Sequence, residues 1–294
     1  MTDILVLGKN GQIGRELCAC LAGLGAITAL GRAELDLSNA GAIRSTLRRL
    51  RPQLVINAAA YTAVDDAETH RDQAYAVNCD APRIIAEELK AQGGALIHYS
   101  TDYVFDGAQS TPYTEQDAAN PMNVYGASKL AGERAIAASG GAHLILRTSW
   151  VYSHHGKNFV TAISRLARLG KELKAVNDQT GGPTWAKTIA WTTRLIIEQC
   201  GRSIASKHGI YHLAATGATT RYGLAVKIVE LLARDHKITG RVPVNVQAVS
   251  SSAFPTVAVR PRYSALSSAE LKTHFGIDMP RWDADLEKFF RESH

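Results

Sequence analysis

Two side chains four residues apart, Tyr125 and Lys129, form the pair in this chain best suited to moving a proton. On a helix, residues at this spacing lie one above the other on the same face. A phenol titrates near pH 10, and a neighbouring ammonium favours its ionised form, so Lys129 is expected to lower the pKa of Tyr125. General acids work best when their pKa approaches the working pH. The surrounding residues, Asn123-Val124-Tyr125-Gly126-Ala127-Ser128-Lys129, open a stretch of helical character. Upstream, the apolar run Ala95-Leu96-Ile97-His98-Tyr99 reads as a buried strand leading into Ser100-Thr101-Asp102-Tyr103-Val104-Phe105. Thr101, at the carboxyl end of that strand, can place a hydroxyl beside the same reacting oxygen.

Such a pair is weak evidence alone, because a chain with ten tyrosines meets a Tyr-x-x-x-Lys spacing by chance on the order of 0.4 times. It gains meaning from a cofactor, and the N-terminal stretch supplies one. Residues 4–7 form a short apolar strand that runs into Gly8-Lys9-Asn10-Gly11-Gln12-Ile13-Gly14 and then a helix from about 12 to 22. Strand, glycine-rich turn and helix form the context that holds a dinucleotide pyrophosphate. Gly8 allows the tight turn, Gly11 lets the backbone approach the pyrophosphate, and Gly14 lets the helix pack on the strand. A second strand over 26–30 ends in Gly31-Arg32, without the acidic residue that selects NAD at this place. Arg32 can pair with a 2′-phosphate, which favours NADP. Asp36-Leu37 lies where the adenine or its ribose rests. A third strand over 53–60 closes on Ala58-Ala59-Ala60, small residues that let a cofactor pass over the strand end, and Tyr61-Thr62 continue that rim.

Helices over 80–92 and 123–139 alternate with strands over 95–99 and 143–147, so residues 1–150 read as a Rossmann-type, doubly wound parallel α/β domain. Beyond Tyr152 the alternation loosens. Helices near 158–169, 185–199 and 221–235 mix with strands near 172–177, 210–213 and 242–249 and with a Gly181-Gly182-Pro183 turn. Residues 151–294 are expected to form a smaller α+β substrate lobe, with the segments near 172–200 fitting either unit. Trp150, directly after the fifth strand, can stack on a base or sugar.

Composition bounds the rest. With 294 residues, 46% hydrophobic and 20% charged, the chain is of ordinary soluble character. No run approaches the roughly 18 apolar residues of a membrane span, and the start lacks a signal peptide's basic and apolar regions, so a cytoplasmic protein is expected. Cys18, Cys20, Cys79 and Cys200 fit no zinc spacing and are expected to be reduced. His154-His155 has no partner spaced for a metal. The net charge of +6 is spread along the chain, and its densest group, Arg44 to Arg51, reads as the solvated face of one amphipathic helix. Neither nucleic acid nor membrane is expected as a partner. The excess suits a substrate and a cofactor that both carry phosphates.

Gly8-x-x-Gly11-x-x-Gly14, Asn57-Ala58-Ala59-Ala60, Ser100-Thr101-Asp102-Tyr103-Val104-Phe105 and Tyr125-Gly126-x-x-Lys129 together resemble the extended short-chain dehydrogenase/reductase superfamily. Within it, the glycine turn, Asn57 to Asp65, Arg147-Thr148-Ser149-Trp150-Val151-Tyr152, Asn177-Asp178-Gln179-x-Gly181-x-Pro183-Thr184 and Arg260-Pro261 resemble the dTDP-4-dehydrorhamnose reductase family over nearly the whole chain. The resemblance implies hydride transfer from NADPH, with NADH left open, to the C4 ketone of dTDP-4-dehydro-L-rhamnose, the last step of dTDP-L-rhamnose synthesis. It implies Thr101, Tyr125 and Lys129 as the catalytic set, with Lys129 also holding the nicotinamide ribose. Gly8, Asn10, Gly11, Gln12, Ile13, Gly14, Arg32, Asp36, Leu37, Ala58, Ala59, Ala60, Tyr61 and Thr62 become the cofactor residues. Asp102, Tyr103 and Trp150 become the nucleotide-sugar residues. Two other readings stay open: reduction of another nucleotide 4-keto-6-deoxysugar, or a non-catalytic NADP-holding regulatory subunit. Some members form a homodimer bridged by a metal on surface carboxylates. Glu16 is available here, but Lys187 stands where a second carboxylate is expected, so no Mg2+ ligands are assigned.

Overall fold

Short aliphatic runs that stay apolar on both faces demand cover from two sides, and the helices between them supply it. The computed structural model describes residues 2–200, 204–234 and 245–292. In chain order the main elements of the first half are β1 (Thr2–Leu7), α1 (Gln12–Cys20), β2 (Gly25–Leu30), α2 (Ala40–Leu50) and β3 (Leu54–Asn57), then α3 (Ala81–Gln92), β4 (Ala95–Thr101), α4 (Val124–Ser139) and β5 (Ala142–Thr148). There follow α5 (Phe159–Arg168), β6 (Leu173–Val176), α6 (Ala186–Cys200), β7 (Gly209–His212), α7 (Arg221–Arg234), β8 (Val246–Val249), α8 (Ala269–Phe275) and α9 (Trp282–Glu292).

Six strands make one sheet in the order β7-β5-β4-β3-β1-β2, and every neighbouring pair is parallel. On one face Ile4, Val6, Ile56, Ile97 and Leu144 pack with Leu17 of α1, Ile189 and Ile196 of α6 and Leu271 of α8. On the other, Leu5, Leu7, Val55 and Leu96 pack with Ile43 and Leu47 of α2, Ile84 and Leu89 of α3 and Ile136 of α4. Covering both faces is the doubly wound Rossmann-type arrangement that the alternation predicts. From β1 the chain passes to β2 on one side and returns to β3 on the other. In open α/β sheets, ligands bind at the carboxyl ends of the strands where the winding reverses in this way.

The remaining elements form a second cluster. β6 pairs in parallel with β8, and Tyr152, Ile163, Trp185, Leu224, Ile228, Leu286 and Phe289 fill a core between α5, α7 and α9. Of the segments near 172–200, the strand stays with this cluster while helix α6 lies against α1 and the large sheet. The strand near 210–213, assigned from sequence to the C-terminal lobe, is instead the sixth strand of the large sheet, beside β5. Its apolar run closes the sheet edge that β5 would otherwise leave unpaired. The first residues of the strand expected over 242–249 lie outside the described residues.

Two local devices matter for function. Asn39 caps α2 by accepting from the Ala42 amide at 3.0 Å, and Asn123 caps α4 by accepting from the Gly126 amide at 2.8 Å. The Asn123 amide also donates to the Val259 carbonyl at 2.8 Å, tying the start of α4 to the C-terminal part of the chain. The basic group on α2 is a solvated face as expected, with Arg48, Arg49 and Arg51 exposed, and it also makes ion pairs. Arg44 and Arg48 reach across to Glu88 of α3 at 2.9 and 2.8 Å, and Arg44 also meets Glu87. Among the described residues no helix is long and apolar enough to cross a membrane, and all four cysteines are free thiols.

Candidate active site

The turn after β1 leaves no room for side chains. Gly8 has φ +85°, and a Cβ there would stand 2.7 Å from the Ala59 nitrogen, so only glycine lets the ends of β1 and β3 approach. Gly14 lies with its Cα against the Gly8 carbonyl, seating α1 on the strand. α1 starts at Gly11, which offers no side-chain cap, and carries no acidic residue in its first turn. Its leading amides are therefore open to an anion, in the arrangement that holds a pyrophosphate.

From this turn a cavity of about 510 Å3 runs along the strand ends, within the size range of small-molecule sites. Gly8, Asn10, Gly11, Gln12, Ile13, Arg32, Asp36, Leu37, Ala58, Ala59, Ala60, Tyr61 and Thr62 line it, and Tyr125 and Lys129 close its far end. Gly14 does not line it, consistent with a packing role. Arg32 is largely exposed and stands 3.9 Å from Asp36. Beside Gly31, Glu34 accepts from the Gly31 amide at 2.9 Å and pairs with Lys9 at 2.6 Å. Hydrogen bonds from Ser38 hold the Asp36 carboxyl below its usual range.

At the far end, α4 enters against the 3-10 turn that follows β4. A Cβ on Gly126 would lie 2.1 Å from the Tyr103 carbonyl, so the residue after Tyr125 has to be glycine for the helix to reach Thr101. The Tyr125 phenol lies near the Thr101 hydroxyl, which favours its ionised form, and meets the Tyr103 ring edge-on at 5.8 Å between centroids. Burial pushes the phenol well above its ordinary pKa, and Asp102 and Tyr103 add to this. Lys129 is not among the groups acting on it. Its Nζ donates to the Tyr99 carbonyl at 2.6 Å and lies 3.0 Å from Nε2 of His98. The expected lowering of the Tyr125 pKa by Lys129 is therefore absent, because the amine is aimed into the sheet rather than at the phenol. Burial brings Lys129 itself down to about 8.

The residues expected to meet a nucleotide-sugar divide. Asp102 is buried behind Thr101, accepting from Thr101 at 3.1 Å and from the Ser264 hydroxyl at 2.6 Å. Burial raises its carboxyl to about 6, although both hydroxyls oppose the rise. It buttresses Thr101 instead of lining the cavity. Trp150 has φ +44°, an uncommon backbone for a bulky residue. Its ring is held between Gly181 and the Arg221 guanidinium, which stacks 3.5 Å from the ring centroid. Arg221 and Arg260 both contact Tyr103, and Arg260 bonds Asp65 through two nitrogens at 2.6 and 3.1 Å.

The sequence reading missed Arg221 as a site residue and quoted Arg260 only within a motif. A usable signal existed for the first: Arg221 opens α7, where the helix dipole disfavours a cation. At the surface, Glu16 lies 4.0 Å from the His155 ring, and Lys187 forms an ion pair with Glu292. No group of three or more His, Cys, Asp or Glu among the described residues has metal-holding geometry.

The family model described as "RmlD substrate binding domain" matches residues 1–294. A dTDP-4-dehydrorhamnose reductase from Burkholderia thailandensis is 44% identical over 285 residues, covering 95% of each chain. Among solved structures, a dTDP-4-dehydrorhamnose reductase from Clostridium acetobutylicum superposes with a TM-score of 0.90 at 33% identity, covering 99% of both chains. One from Bacillus anthracis, in complex with NADP, superposes with a TM-score of 0.89 at 34% identity, covering 99% of this chain and 100% of that one. Likeness of this depth over the full length goes beyond a shared fold, and the chain belongs to the dTDP-4-dehydrorhamnose reductase family.

Proposed function

We propose that the protein reduces the C4 ketone of dTDP-4-dehydro-L-rhamnose to dTDP-L-rhamnose with a hydride from NADPH, completing dTDP-L-rhamnose synthesis. The observation that carries this reading is the cavity that joins an open helix N-terminus at Gly11 to the Tyr125 phenol, which lies near Thr101. The glycine turn and the open amides of α1 fit a pyrophosphate, and Arg32 fits a 2′-phosphate, so NADPH is the preferred cofactor and NADH a poorer one. When bound, the nicotinamide supplies the hydride.

The chain's own residues do the rest. Tyr125, kept as a neutral phenol by burial, donates a proton to the oxygen of the reducing carbonyl, and Thr101 orients that oxygen through its hydroxyl. Asp102, fixed by Ser264, holds Thr101 in place. Arg221 and Arg260, turned toward Tyr103, offer charge to the substrate's diphosphate, and Trp150, covered on both faces, holds Arg221 in place. The same catalytic set argues against a regulatory subunit, which has no use for a positioned proton donor.

The test is turnover with defined substrates. Purified protein is expected to oxidise NADPH only when the dTDP-4-keto sugar is present, with NMR of the product showing the L-rhamno configuration at C4. Another configuration would reassign the substrate, and no oxidation with any dTDP-4-keto-6-deoxysugar would remove the enzyme reading.

A further inference from the structure

Beneath the proposed catalytic pair lies a row of buried polar atoms whose protons can be counted. His98, midway along β4, is wholly buried, as is Asn57 beside it in register on β3. Asn57 Oδ1 accepts from the Ala59 amide at 3.1 Å, which orients the side chain and turns its Nδ2 toward His98 Nδ1, also at 3.1 Å. An amide nitrogen only donates, so Nδ1 must accept, and the neutral imidazole then carries its proton on Nε2. Nε2 faces Lys129 Nζ at 3.0 Å, and Nζ already donates to the Tyr99 carbonyl. The Nε2–H needs a lone pair opposite it. An ammonium has none, whereas a neutral amine has one.

The alternatives each leave two donors face to face in a dry site. The other tautomer sets Nδ1–H against the Asn57 amide, which cannot flip because its oxygen is held by Ala59. An imidazolium clashes at both ends, and burial disfavours it. The titratable groups around the amine are His98 from β4 and, on its own helix, Tyr125 and Glu133; β3 adds only the neutral Asn57. Glu133 is compensated by Arg147 of β5 through two bonds at 2.9 and 2.6 Å.

Building on the function proposed above, we infer that Asn57 and His98 are positioning residues that hold Lys129 as a neutral amine in the free protein, and that Lys129 takes a proton from solvent when the nicotinamide cofactor binds. Lys129 then carries its charge only once a hydride donor is in place. Burial brings Lys129 to about 8 against the opposing charge of Glu133, and the tautomer lock acts in the same direction as burial.

Two measurements test this. Long-range 15N–1H NMR of histidine-labelled free protein is expected to show His98 as the Nε2–H tautomer; an Nδ1–H tautomer overturns the proposal. Calorimetric titration with NADPH in buffers of different ionisation enthalpy is expected to show uptake of more than about half a proton at pH 8 and close to one at pH 9. Both pH values lie above the titration of the 2′-phosphate. Saturable binding with no uptake at either pH overturns the proposal. In Asn57→Asp the new carboxylate can only accept, so Nδ1 gains the proton, Nε2 becomes an acceptor, and uptake is expected to fall at least fivefold. His98→Gln, which offers Lys129 an amide oxygen, is expected to do the same should the first variant fold poorly. Uptake unchanged in a folded variant also refutes the relay. Protein that bound no NADPH would count against the cofactor reading, and the tautomer in the free protein would still decide this one.

Discussion

The two ends of the site are made of different materials. Along the ends of β1 and β3 the walls are backbone and small side chains: Gly8, Gly11, Ala58, Ala59 and Ala60. Behind Tyr125, around Tyr103, the side chains are large and charged: Trp150, Arg221 and Arg260, drawn from three separate parts of the chain and outside the cavity lining. The first end leaves backbone amides open and keeps bulk away. The second is filled with side chains, and it stores strain in doing so. Trp150 keeps a left-handed backbone at a cost of about 1–3 kcal/mol, held there by Arg221 on one face and Gly181 on the other. Between the two stands Tyr125, touching both.

If the ends are separable, substitutions should divide cleanly between cofactor and sugar. The largest effect is expected at the junction. Tyr125→Phe should lower kcat by about 10^3-fold, the scale of a lost general acid, while the NADPH dissociation constant stays within about threefold of the wild type. Single-turnover and binding measurements on one preparation check both halves, and unchanged turnover would take Tyr125 out of the mechanism. Next comes the sugar end. Arg221→Ala uncovers Trp150 and removes a cation from Tyr103, so KM for the nucleotide-sugar should rise about 30-fold, the equivalent of roughly 2 kcal/mol. NADPH binding should not move; an equal loss of both would show that the two regions are coupled. The smallest effect is expected at the opposite mouth. Arg32→Ala should raise KM for NADPH about tenfold, as for an exposed charge-assisted contact, and leave NADH unchanged. A parallel loss for NADH would mean that Arg32 supports the loop and does not read the phosphate.

The same division governs what could be read before folding. The cofactor wall was legible because its requirements are local: a glycine at φ +85°, a helix with an open first turn, and alanines at a strand end each follow from a few consecutive residues. Tyr125 and Lys129 were legible from their spacing. The use of that spacing was not, since i and i+4 on one helix say only that two side chains share a face. Whether Nζ meets the phenol or the Tyr99 carbonyl depends on β4 lying directly beneath α4. The strand over 209–212 was assigned to the wrong unit for a related reason. Its apolar run satisfies a sheet edge anywhere, and only the position of β5 says which edge is open.

Composition and pattern by themselves determined a parallel, doubly wound sheet with a nucleotide turn at its start, because periodicity and glycine stereochemistry act within a few residues. Tertiary structure alone decided that Asp102 faces Ser264 instead of the cavity, that Arg221 caps Trp150, and that His98 stands between Asn57 and Lys129. Those contacts join residues separated by tens to more than a hundred positions. Their chemistry depends on burial and on the count of donors against acceptors, which exist only once the chain has closed around them.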